Sequence, residues 1–200
     1  MVERRNALYG SIVFAVAFLA NALVFDRNFD TAAEVADWLD NNTALMYIGS
    51  VLVMIAGVGF LWFINNVRVI VANAEGDNGS YASLVLACGV LFVGLWWVSA
   101  PIDIGIAEYV GSDIDINTYD AISNIAHQQW LFSQIALAVV LVVLFVVGRR
   151  AQWPSWILWL TIALAVTSVL QLIISPLFLL LPIWAVLFAV AMRNTTHSAT

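Results

Sequence analysis

The sequence contains no lysine, one cysteine (Cys88), two histidines and four prolines, and only 10% of its 200 residues are charged. Each shortage excludes something. One cysteine permits neither an intramolecular disulfide nor a CxxC redox pair. Two histidines, one of them His197 in the tail, cannot supply the paired axial ligands of a membrane haem within the chain. Seven arginines against thirteen acids leave a net charge of −6, without the clustered basic residues that phosphate neutralisation needs, so nucleic acid is not an expected partner. A soluble domain carries about a quarter of its residues as charges, and this chain falls far short of that. Strand-like alternation is missing, which argues against an outer-membrane barrel. So are HExxH, GxSxG and P-loop motifs, which disfavours a zinc protease, a serine hydrolase of that type and a P-loop nucleotidase. No cofactor is implied.

What the chain does contain is apolar sequence, 63% of it. Several runs reach the ~18–20 residues that a bilayer-spanning helix needs. Backbone groups in lipid must be satisfied internally, so such runs read as helices. The expectation is an all-α membrane protein, one polytopic domain over residues 1–200, with six spans. Their approximate ranges are 8–25, 44–64, 83–102, 130–148, 155–173 and 177–192. Arg4, Arg5, the following apolar run and Ala20-Asn21-Ala22 also look like a cleavable signal peptide. The run from Ala7 to Phe25 is long enough to span, and it reads as a retained first helix.

Between the spans the chain turns polar. Thr31-Ala-Ala-Glu34 is a capping box, and Val35, Trp38 and Leu39 follow at helical spacing. A short interfacial helix fits there, with Trp38 at headgroup level. Asn65–Ser80 reads as a loop with the turn-rich segment Glu75–Ser80. Pro101 marks the exit of the third span. Asn117 is placed to cap a helix that runs through His127 into the fourth span. A sharp turn near Ile174-Ser175-Pro176 divides the last 38 apolar residues from Ser155 to Met192, and Pro182 is a candidate kink. The competitor is one bent span with an interfacial segment. Gly49, Gly57 and Gly59 offer close helix contact without a GxxxG pattern.

Arginine placement orients the six-span arrangement. With both termini cytoplasmic, Arg4, Arg5, Arg68, Arg149, Arg150 and Arg193 face inward and only Arg27 faces out, as the positive-inside rule requires. Ten acids then lie in the two outer loops and three inside, so the outer loops sum to −9 and the inner segments to +3. The location that follows is the cell membrane, multi-pass. Both outer hairpins share a plan of helix, acidic loop, capped short helix, helix, with Thr31 and Thr118 in comparable places. Their residue identity is too poor to establish a repeat.

Candidate chemistry is sparse. No strongly ionisable side chain lies well inside a span, unlike most proton relays and voltage sensors. Asn21, Ser50, Ser99, Ser133, Gln134, Thr167, Ser168 and Gln171 all fall in the outer half of the spans. Together they read as a polar vestibule for a cation or small ligand; the competing reading is helix-to-helix hydrogen bonding. Asp103, Glu108 and His127 form a candidate metal set. Asp113, Asp115 and Asn117 match the start of a calcium loop, but Thr118 stands where glycine is needed and Asn124 where the bidentate glutamate is needed. Cys88 reads as a small buried residue. Trp96, Trp97, Trp130, Trp153 and Trp156 read as interface anchors, and Trp184 as packing. Asn41-Asn42-Thr43 is a glycosylation sequon.

The overall plan, with Thr31–Asp40 leading into the second span, resembles that of small prokaryotic six-helix membrane proteins of the domain-of-unknown-function type. That resemblance rests on architecture and implies no activity and no site residues. The expected function is non-enzymatic: binding a small ligand, a cation or a partner protein at the acidic outer face, with the bilayer as constant partner and a homo-oligomer as one form of it. The alternatives are a transporter or channel component that uses the vestibule, and a membrane enzyme that uses outer-loop carboxylates with His127. A cysteine introduced at residue 113 is expected to react with an impermeant thiol reagent from outside the cell. Labelling from the cytoplasm alone would reverse the orientation.

Overall fold

The computed structural model describes residues 2–23, 31–76, 79–109, 116–170 and 179–194. Among these the secondary structure is helical, with no strand: α1 Val2–Ala22, α2 Ala32–Glu75, α3 Ser80–Trp97, α4 Ser99–Tyr109, α5 Ile116–Arg150, α6 Ser155–Leu170 and α7 Leu180–Asn194. Three stretches are long and apolar enough to cross a membrane: Asn41–Glu75, Ser80–Ile106 and Asn117–Arg150. Ser155–Leu170 and Leu180–Arg193 are shorter apolar helices. The exterior is apolar too, with Val16, Val51, Val58, Phe132 and Trp159 all more than half exposed. Such a surface suits lipid and not water. These features are compatible with a membrane helical bundle.

Several expected boundaries move. The short interfacial helix after Thr31 is not separate; it is the first three turns of α2. Thr31 caps it, accepting a hydrogen bond from the Glu34 N–H at 3.3 Å. Neither glycine nor proline follows until Gly49, so nothing stops the helix. Asn41 and Asn42 donate their side-chain amides to the carbonyls of Asp37 and Trp38, one turn back. The expected loop from Asn65 is helical as well. Val67, Ile70 and Val71 are buried at helical spacing and keep that segment on the core. The true connection is Gly76–Gly79, where φ is +77° at Gly76 and +55° at Gly79. Glycine takes such angles without the steric cost of a Cβ. The Glu75 carboxylate crosses this turn and accepts from the Ser80 hydroxyl (2.9 Å), the Tyr81 N–H (3.0 Å) and the Ala82 N–H (3.2 Å). Desolvation pushes its pKa up, but these donors outweigh it and hold the carboxyl below its ordinary value. Such a cap stabilises above the ordinary carboxylate range and is lost as pH falls through the lowered value.

The prolines also differ from expectation. Pro101 does not end a helix but lies in the first turn of α4, after a break at Val98. Pro182 occupies the first turn of α7, where no backbone N–H is required, so it is a start and not a kink. Asn117 is the second residue of α5 and not its cap. The expected turn at 174–176 lies outside the described residues.

Cross-helix contacts set the arrangement. Gly10 lies against Phe63, Gly59 against Phe14, Gly89 against Ile64 and Gly148 against Leu158. Trp96 meets Trp130. The Trp184 indole N–H donates to the Thr161 hydroxyl at 2.9 Å. With Phe60 on Phe92, Arg150 over Tyr81, Phe145 beside Trp159 and Trp153 on Phe188 as second contacts, α1 and α2, α2 and α3, α3 and α5, α5 and α6, and α6 and α7 all run antiparallel. Arg5, Arg68, Arg149, Arg150 and Arg193 therefore gather toward one end. The acidic starts of α2 and α5 lie at the other.

Within a mainly aliphatic core, aromatic rings link the helices. Phe14 packs on Phe60 (5.0 Å between ring centres), Phe60 on Phe92 (4.9 Å), and Phe63 on both Trp184 and Phe188. Edge-to-face pairs of this kind each contribute about 0.5–1.5 kcal/mol beyond area burial. α1 and α2 approach backbone to backbone. A Cβ on Gly59 would sit 2.5 Å from the Phe14 nitrogen, and one on Gly10 would sit 2.6 Å from the Phe63 nitrogen. Gly59→Ala is expected to lower stability by about 1–3 kcal/mol through overpacking. Gly94→Ala, which meets nothing within 4 Å, is expected to be neutral or slightly stabilising. Thermal unfolding in detergent measures both, and equal melting temperatures would refute the close contact.

Candidate functional site

At the acidic end, α2 and α5 carry long polar starts and α4 packs against both. At about 1.5 Å per residue, α2 with 44 residues spans roughly 66 Å and α5 with 35 roughly 52 Å. A bilayer core is about 30 Å thick. The excess on the acidic side forms a helical cap of α4 and the opening turns of α2 and α5.

Two side-chain contacts brace α4. The Ser50 hydroxyl carries one hydrogen, shared between the Met46 carbonyl at 3.0 Å and the Ala100 carbonyl at 3.3 Å. The second bond ties α2 to the start of α4. Farther out, the Tyr47 hydroxyl donates to Glu108 Oε1 at 3.3 Å and ties down its far end. Glu34, Asp37, Glu108 and His127 are exposed on this cap. The side chains of Asp103 and Asp120, and residues Asp113 and Asp115 entirely, lie outside the described residues.

The candidate metal set is therefore placed only in part. Asp103 and Glu108 both belong to α4, five residues apart, a spacing that does not stack residues on one helix face as three or four does. Among the described residues no group of three His, Cys, Asp or Glu side chains stands close enough to hold a metal ion.

Of the eight polar residues expected to line a vestibule, four are buried, and Asn21, Ser99 and Thr167 are half-buried. Ser50, Ser133, Gln134 and Ser168 are each 2% exposed or less. Their bonds are mainly local. Ser133 donates to the Trp130 carbonyl and Thr167 to Leu164, each within one helix, and Ser99 donates to the Trp96 carbonyl across the break between α3 and α4. Gln134 donates weakly to its neighbour Ser133 at 3.4 Å. Among the described residues of this set, Ser50 is the one that reaches a helix distant in sequence. Asn21 Oδ1 and Ser168 Oγ are buried with no hydrogen-bond partner. Gln171 lies outside the described residues. Beside this layer, rings from α1, α3 and α5 meet: Phe18 lies 5.3 Å from Trp96 and 6.2 Å from Trp130.

The Trp97 indole nitrogen was not singled out by sequence reasoning. It is buried without a partner and lies over Gly57, where a Cβ would come within 2.0 Å of it. A glycine one helix away was its signal, but pairing the two requires the register of α2 on α3.

Comparison of the chain with protein-family models, curated proteins and solved structures finds no match.

If Ser50 braces the cap, Ser50→Ala is expected to cost about 0.5–1.5 kcal/mol and to speed amide exchange across Ser99–Tyr109. Exchange confined to wild-type rates in that helix would show that α4 is held by other contacts.

Proposed function

We propose that the chain is a six-span protein of the cell membrane, with both termini and the arginine-bearing end cytoplasmic, and that it acts by binding and not by catalysis. The acidic cap is its working surface. It receives a cation or a basic segment of a partner protein. The observation that carries this reading is the bracing of α4 by Ser50 and Tyr47, which makes the cap a built surface and not a slack loop. Glu34, Asp37 and Glu108 present carboxylates on it. The positive-inside bias supports the orientation.

A second reading, a transporter or channel component with an outward vestibule, draws on Asn21 Oδ1 and Ser168 Oγ, two buried acceptors that a polar ligand or water would satisfy. Against it stands the aromatic contact of Phe18, Trp96 and Trp130 beside the polar layer. Flux in proteoliposomes that falls in Gln134→Ala would favour the second reading.

The cap reading is tested by titrating the reconstituted protein with calcium and with an oligoarginine peptide. Glu34→Gln, Asp37→Asn and Glu108→Gln combined are expected to weaken one of the two by about fivefold, and added salt to weaken it further. Binding of both unchanged by the triple substitution would discard the acidic cap as the site.

A further inference from the structure

At the arginine-bearing end, α2, α3 and α5 border an open-sided cavity of about 310 Å³ lined by Ala74, Glu75, Ser80, Tyr81, Val147 and Arg150. It lies where α2 ends, α3 begins and α5 ends. The start of α3 and the end of α5 each border an apolar run, so in a membrane the cavity stands at headgroup level. Its volume is at the small end of the roughly 300–1,000 Å³ typical of ligand sites, enough for a headgroup and too little for acyl chains.

The two charged walls differ in what already occupies them. Glu75 is engaged by three donors at the start of α3, so its charge faces the positive end of that helix. The Arg150 guanidinium has only an aromatic neighbour: it stands 5.6 Å from the centre of the Tyr81 ring. Among the described residues no carboxylate pairs with it. A ring face offsets part of the charge and leaves the guanidinium fork open for a planar or tetrahedral anion. Arg149, the next residue, stands over Phe145 instead and does not line the cavity.

We propose that this cavity binds the phosphate of a headgroup, with Arg150 as the phosphate ligand, and that the headgroup is that of a zwitterionic phospholipid. Among the described lining residues, one carboxylate and one guanidinium leave the walls nearly neutral overall. A headgroup ammonium then places a cation beside the Glu75 carboxylate, whereas a net anionic headgroup would bring a further negative charge against it. Inorganic phosphate shares the phosphate oxygens but has no ammonium. The inference rests on the membrane reading and not on the acidic cap or on which end is cytoplasmic.

Native mass spectrometry of the detergent-purified chain tests it, with phosphatidylethanolamine and phosphatidylglycerol offered in equal amounts and inorganic phosphate as competitor. Wild type is expected to retain the ethanolamine lipid preferentially. Arg150→Gln should cut that retention by about tenfold, Arg150→Lys by less, and Arg149→Gln should leave it unchanged. Equal losses in Arg149→Gln and Arg150→Gln would reveal diffuse charge attraction and overturn the site. So would preference for the glycerol lipid, or retention that Arg150→Gln does not alter. Displacement of the lipid by millimolar phosphate would overturn the lipid source. Failure of the membrane reading has its own signature, a chain that stays in solution without detergent.

Discussion

Everything in the bundle is arranged around the approach of α1 to α2 at Gly10 and Gly59. Each glycine receives the backbone of the other helix where a side chain would stand, at Phe63 and Phe14. Apolar surface gains little by turning from lipid tails to protein, so helix association in a bilayer relies on close packing and hydrogen bonds. A contact this tight brings Phe14 and Phe60 into van der Waals range. From there the aromatic contacts spread to Phe92 on α3, Trp130 on α5 and, through Phe63, to Trp184 on α7. The polar ties within the core are few by comparison, Trp184 to Thr161 being the clearest between helices.

The ends of the bundle follow from helix continuity. α2 contains glycines at 49, 57 and 59 and no proline, and it runs unbroken from the Thr31 cap to Gly76. Glycine inside a helix costs about 1 kcal/mol but does not stop it when packing holds it. Its excess length turns what would be loops into helical projections at both ends. On one side the projection forms the acidic cap. On the other it carries Glu75 to the start of α3 and leaves a polar cavity beside Arg150.

Much of the helical content was legible in the residues. Thr31 and Glu34 mark a helix start, and the bond between them is present. Arg149 and Arg150 close α5. The boundaries that moved did so for one reason: charge and amide groups near Asn41 and Asn65 look like loop when read locally, yet buried Val67, Ile70 and Val71 pay more toward helix than Asn65 and Arg68 cost. Pro101 and Pro182 were read as ends or kinks because a proline ring forbids helix interior. Both sit in first turns, where the same ring is harmless.

The candidate site was legible only as a set of residue types at a common depth. That Asn21, Ser50, Ser133, Gln134 and Ser168 lie toward the acidic end follows from counting along apolar runs. Which of them meet does not. Ser133 and Thr167 satisfy themselves on their own helices, Ser50 reaches α4, and Asn21 Oδ1 and Ser168 Oγ find nothing. The sequence by itself determined the apolar helices, the segregation of arginine from acid and the capped start of α2, because these depend on neighbours within a few residues. The tertiary structure alone decided the glycine contact, the aromatic contacts of the core, the bracing of α4 and the cavity at Arg150. Those depend on distances between atoms that are dozens of residues apart along the chain, which only the packing of whole helices sets.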